Sequence, residues 1–192
     1  MADTFRYSAF IDSVHANRLK ALRRKGSQAV SDKARELVGA GWSSVEARLE
    51  ARRRCREQWP PLDVVVGRAL EQRLSEPDLA GPWAPLTDAE EEFMSLSGRW
   101  PSKNYPGFLV KRAYDLPVDL LKRARTAAFR ASEGPLAELD ERGLTYNRLD
   151  LEEEERRIRD ELLDKVYPVP RILRQGLARY GPWPHEDDLP AG

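Results

Sequence analysis

The residues best equipped for chemistry crowd into one stretch: Arg52, Arg53, Arg54 and Arg56 surround the single cysteine, Cys55. Neighbouring guanidiniums stabilise a thiolate and so make a cysteine more reactive. Nucleophilic work also needs a base, and no histidine or acid stands at a spacing that marks one; Cys55 therefore reads as a half-buried filler. The two histidines, His15 and His185, are far apart in sequence, and no His/Cys pair has metal-ligand spacing. Glu152–Glu155 offer four consecutive carboxylates, but on a helix these point around the axis rather than at one centre. No phosphate-binding glycine loop and no Gly-x-Ser-x-Gly elbow occurs. The expectation is a protein with no catalytic residues, no metal and no cofactor.

The remaining chemistry is that of cations. Net charge is zero, yet the signs come in blocks. Residues 14–56 carry twelve Lys/Arg against four Asp/Glu, and 75–98 carry six acids and no base. Residues 99–130 turn basic and 133–164 acidic. Blocks of this kind give a molecule separate positive and negative faces. Arginine outnumbers lysine, which suits bidentate contact with phosphates or carboxylates and is equally a mark of a GC-rich genome. A lone cysteine fits a reducing compartment, no signal-like leader is visible, and no apolar run reaches membrane length, so a cytoplasmic protein without a membrane partner is expected.

The elements that must position these cations come in two sets. Displaced by 102 positions, Leu19, Lys20, Arg23, Ala29, Glu36, Leu37 and Gly41 fall on Leu121, Lys122, Arg125, Ala131, Glu138, Leu139 and Gly143. Leu49, Glu50 and Arg54 then fall on Leu151, Glu152 and Arg156. With a further shift of five, 62–74 meets 169–181, and each copy ends on Gly-Pro-Trp, at 81–83 and 181–183. Short β-like runs precede both, at 5–11 and 108–114. The pattern predicts a mainly α fold with two short strands, built from a tandem duplicated helical unit. The units span 1–83 and 108–184, joined by a linker (84–107) with a short acidic helix and followed by a disordered tail (185–192). Helices are expected over 14–38 with an interruption near Gly26, 45–58, 62–74 and 169–180. "TDAE" at Thr87–Glu90 forms a capping box, and each closing tryptophan packs back on its own unit.

In the second unit, "VKRAYDLPVDLLKRARTAA" sets a short basic strand before Leu-Pro, an acid and an amphipathic helix. This resembles the ribbon-helix-helix family of DNA-binding proteins, with "VPRILRQGLARY" similar to that family's second helix. The resemblance implies a single-chain ribbon-helix-helix-like pseudo-dimer whose two strands pair into a ribbon that enters the DNA major groove. Carried over, it places the second strand at Val110–Leu116, with Lys111 and Arg112 nearest the bases, and opens the helix at Pro117, Val118 and Asp119. The first strand offers Arg6, Tyr7 and Ser8. Basic residues of the first helices, chiefly Lys20, Arg23, Arg24, Lys122 and Arg123, would contact phosphates; Arg18, Lys25, Arg125 and Arg130 lie in the same segments, and Arg52–Arg56 add to them. The sequence departs from the family by inserting a whole charged helix between the two family helices. By strand alternation, Arg112 and Tyr114 share a face with the apolar Leu116.

Two functions follow. The first is a DNA-binding protein of the transcriptional regulator, antitoxin or plasmid accessory type, with duplex DNA as partner. The alternative is a non-enzymatic α-helical interaction module that binds a protein partner or self-associates through its charge blocks, without nucleic acid.

Overall fold

The computed structural model describes residues 3–96, 107–146, 150–181 and 183. The expected tail at 185–192, with His185, and the linker residues 97–106 lie outside that set, as do the side chains of Phe93, Met94 and Leu96. The chain is mainly helical, with one two-stranded antiparallel sheet. Its elements run β1 (Thr4–Asp12), α1 (Ser13–Gly39), α2 (Ser44–Cys55), α3 (Leu62–Leu74), α4 (Asp88–Leu96), β2 (Leu109–Pro117), α5 (Val118–Glu141), α6 (Glu153–Leu163) and α7 (Val169–Arg179). Leaving out α4, the order strand, long helix, short helix, short helix occurs twice.

The strands are two residues longer than their β-like runs suggest and pair over their full length, from Thr4↔Pro117 to Asp12↔Leu109. Each runs directly into its helix. Proline suits the junction at β2–α5: Pro117 holds an extended backbone at the N-cap of α5 and has no N–H to leave unpaired. The capping box at Thr87–Glu90 forms as expected. Thr87 Oγ1 accepts from Glu90 N at 3.3 Å, and Glu90 Oε2 accepts from Thr87 N at 2.7 Å.

One glycine reading changes. α1 passes through Gly26 without a break. The glycine is a notch, since a Cβ there would sit 3.2 Å from Trp59 Cβ. α5 carries Pro135 in its interior and continues, because Leu136 and Leu139 beyond it are buried against α6. Gly41 and Gly143, 102 positions apart, both follow the ends of the long helices with positive φ (93° and 66°), where a Cβ would be strained.

The main core gathers side chains from both halves. Ala9, Ile11, Leu19, Leu22, Val65 and Leu70 meet Tyr114, Leu116, Leu121, Ala124, Ile172 and Leu177. The halves interlock: α3 packs on β2, α7 packs on β1, and α3 and α7 pack on each other. At that last contact a Cβ on Gly176 would lie 2.5 Å from the Ala69 carbonyl oxygen, so glycine is what lets the two backbones approach. Arg73, only 1 % exposed, locks the same place. It donates to Asp78 through two bonds of 2.7 and 2.6 Å and to Gln175 Oε1 on α7 at 3.0 Å.

Away from this core each long helix carries a small cluster of its own. Leu37, Val30 and Ala34 of α1 pack on Ala47 and Ala51 of α2, while Leu136 and Leu139 of α5 pack with Leu162, Leu163 and Val166 at α6. Ser132 ties the second arm back. Its hydroxyl donates to Ala128 O at 2.6 Å and accepts from Tyr167 N at 2.8 Å.

The closing tryptophans depart from expectation in one respect. Trp83 does fold back, with Nε1 donating to Leu79 O at 2.9 Å over a glycine, Gly81, that leaves room for the ring. Its ring also lines a cavity with Lys122 and Arg123 of α5, in the other half. Trp183 is buried in the main core, stacked edge-on against Tyr180, with the Arg18 guanidinium of α1 5.5 Å from its ring centre. Each tryptophan thus reaches the first helix of the opposite half, because the interlocked core leaves that helix closest.

Candidate nucleic-acid interface

Alternation sorts the ribbon into two faces. Tyr7, Ala9, Ile11, Tyr114 and Leu116 turn into the core. Arg6, Ser8, Phe10, Lys111, Ala113 and Asp115 are exposed on the other face. Across the strands, Arg6 stands opposite Asp115, Ser8 opposite Ala113, and Phe10 opposite Lys111. Arg6 Nη1 lies 3.6 Å from Asp115 Oδ1, an exposed pair of modest strength. The small central pair, Ser8 and Ala113, leaves the middle of the ribbon low and accessible.

Tyr7 does not share the surface of Arg6 and Ser8. It packs against the core opposite Tyr114, and burial pushes both hydroxyls up, that of Tyr114 to about 12. Three consecutive residues of a strand cannot face one way, so a period-two reading replaces Tyr7 with Phe10. Phe10 follows from the same parity as Arg6 and Ser8, whereas the resemblance named three consecutive residues.

Arg112 resolves the conflict expected on the core face. It has the same parity as Tyr114 but stays exposed, its Nη1 donating to Lys111 O at 3.1 Å. It leans over a cavity of about 630 Å³ at the sheet edge, where it joins Arg6 of β1 and Lys20 and Arg23 of α1. Ala16, Leu19 and Tyr114 give that cavity an apolar wall. Asp63, at the start of α3, also lines it and accepts from Asp115 N at 3.1 Å. Four of the ten expected contact residues, Arg6, Lys20, Arg23 and Arg112, are therefore brought together. Four cations against two carboxylates make the cavity mouth positive.

Lys122 and Arg123 lie elsewhere, lining the cavity of about 540 Å³ beside Trp83, with Arg123 Nη1 3.8 Å from Glu71 Oε1. Arg24 is exposed on α1 next to Arg23, and Lys111 is exposed on the outer ribbon. Other expected cations are held internally. Arg130 clasps Glu90 (2.6 and 2.9 Å) and the Ala84 and Pro85 carbonyls, fastening the start of the linker to α5. Arg53 and Arg54 both bind Glu50, whose carboxyl they hold down at about 2. The Glu50 pairs lie one helical turn apart and are legible from spacing, whereas the partner of Arg130 is 40 residues distant and is not.

Among the described residues no three His, Cys, Asp or Glu side chains gather as a metal cluster, and no helix is long and apolar enough to cross a membrane. Compared with family models, with curated proteins and with solved structures, the chain finds no match.

Proposed function

We propose that the chain is a non-enzymatic protein that binds duplex DNA as a single-chain pseudo-dimer, laying the outer face of its two-stranded ribbon into the major groove. The observation that carries this reading is the antiparallel pairing of two segments about a hundred residues apart, with Arg6, Ser8, Phe10 and Lys111 on its free face. A groove of B-DNA accepts a two-stranded ribbon of this size. Lys20, Arg23 and Arg112 flank the ribbon and would meet phosphates, which position a protein without reading sequence.

The duplication reading draws support from the contacts on the local two-fold. α1 and α5 begin at Ser13 and Val118, 105 positions apart, and at that displacement Ser8 corresponds to Ala113, its own partner in the ribbon. α3 and α7 begin at Leu62 and Val169, 107 apart, and there Ala69 corresponds to Gly176, again its own contact. Equivalent residues meeting each other is the signature of a two-fold axis, and palindromic half-sites present the matching symmetry.

The test is a fluorescence-anisotropy titration with a random duplex of about 20 bp at low and moderate salt. Submicromolar affinity at about 50 mM salt is expected, weakening by about a thousandfold at 200 mM if some six phosphates are contacted. Replacing Arg6 and Lys111 by alanine weakens binding at least about tenfold. Absence of binding at micromolar protein in low salt overturns the proposal; binding that survives these substitutions and Arg112→Ala removes the ribbon as the contact element.

A further inference from the structure

The hairpin of α1 and α2 leaves a trough along its length. A cavity of about 430 Å³ is bounded by Val30, Ala34 and Val38 of α1 and by Arg48 and Arg52 of α2. A second, of about 440 Å³, continues from it through the shared Ser27, Val30 and Arg52 to Arg56 and Trp59. At the tip and along the outer wall Val38, Trp42, Val45 and Leu49 are exposed, Val45 by 67 % and Leu49 by 61 %. These four large apolar side chains fall within one short stretch of the hairpin, and exposed apolar groups of this size are typical of contact surfaces.

The charges on α2 are distributed unevenly. On the side away from the trough, Glu50 neutralises Arg53 and Arg54. On the trough side, Arg48, Arg52 and Arg56 are exposed and form no ion pair among the described residues. An apolar floor with an unneutralised cationic wall is complementary to an acidic amphipathic helix. Phosphates would satisfy the arginines but leave Val38, Val45 and Leu49 in water, so a nucleic acid fits the trough less well. A partner helix of about 12 residues would run alongside α2, itself 12 residues long.

We propose that this trough docks an acidic amphipathic helix of a protein partner, its apolar stripe on the floor and on Val45 and Leu49, its carboxylates against Arg48, Arg52 and Arg56. The trough adjoins the ribbon-edge cavity at Arg23, Pro61 and Leu62, but Arg48, Arg52 and Arg56 do not line that cavity, and the proposal goes beyond DNA binding.

The probe is a fluorescein-labelled synthetic peptide, glutamate-rich, with leucines at i, i+3, i+4 and i+7, titrated with the full chain. Micromolar binding that weakens with salt is expected. A scrambled peptide of equal composition binds at least about tenfold more weakly, as does the double variant Arg48→Glu/Arg52→Glu. Leu49→Glu has a similar effect, and unchanged circular dichroism shows that these exposed substitutions leave the fold intact. Arg6→Ala and Lys111→Ala leave peptide binding unaltered, so this proposal and the DNA reading fail separately. It is overturned if the peptide does not bind at about 200 µM, or if the charge-reversed variant binds it undiminished. It is equally overturned if charge reversal abolishes duplex binding alone, or if sedimentation shows a dimer that Leu49→Glu disperses. Those last results would assign the trough to nucleic acid or to a second copy.

Discussion

Arg73 shows how much one side chain can organise when it is buried and fully used. Its guanidinium joins α3, the turn at Asp78 and Gln175 of α7, and the Asp78 carboxyl is held below its ordinary range chiefly by the hydrogen bonds that Arg73 donates. A carboxylate with a depressed folded-state pKa contributes stability that is present above the unfolded value and lost as pH falls through the folded one. Asp78→Asn is therefore expected to cost about 2 kcal/mol near neutral pH, discounted from the cost of a fully buried pair because Asp78 is half exposed. The gap to the parent should begin to shrink as pH falls below about 4, where the unfolded carboxyl protonates, and close as pH passes through the lowered folded value. Urea denaturation of both chains across pH checks this; a gap independent of pH would mean that packing, rather than charge, holds the turn. Asp78 lies only five residues from Arg73, but Gln175, its partner across the α3–α7 contact, is 102 residues away, so nothing in the sequence marked Arg73 as joining the two helices.

At the scale of elements, helix and strand periodicity was largely legible. α3 occupies 62–74 as its apolar stripe requires, and both strands form where their β-like runs lie, slightly extended because each feeds straight into a helix. The internal alignment was legible only in part. A displacement of 102 pairs Gly41 with Gly143 and Leu37 with Leu139 at the far ends of α1 and α5, but the helices start 105 apart. α5 is three residues shorter, nearly one turn, so the identities at Lys20/Lys122 and Arg23/Arg125 do not occupy equivalent places relative to the strands. This is why Lys20 and Arg23 reach the ribbon's edge while Lys122 sits beside Trp83. The α3–α7 contact makes a sharper demand on its sequence. Gly176→Ala would force the two helices apart and should cost about 2–3 kcal/mol in thermal or urea unfolding. Ala69→Gly should not rescue it, since the clash is with the Ala69 carbonyl and not its methyl. Full rescue would place the tight contact between side chains instead.

For the molecule as a whole, a net charge of zero conceals a division of labour among its cations. Some arginines are consumed within the fold, as Arg73 and Arg130 are; others are neutralised one turn away, as Arg53 and Arg54 are. Others gather at the ribbon edge, as Arg6, Lys20, Arg23 and Arg112 do, or along the α1–α2 trough, as Arg48 and Arg52 do. The sequence displayed the blocks and, by spacing, the Glu50 pairs, but not the contacts of Arg130 with Glu90 or of Arg73 with Gln175, which join residues far apart in the chain. The crossing of α3 onto β2 and of α7 onto β1 carries one more consequence. Neither half closes its own hydrophobic interior, so joining the two in one chain raises the local concentration of each for the other. Residues 1–96 and 107–192 produced as separate polypeptides should each be poorly folded alone and recover native circular dichroism on mixing, with a melting temperature that rises with concentration. A fragment that folds unaided would show the crossing to be dispensable.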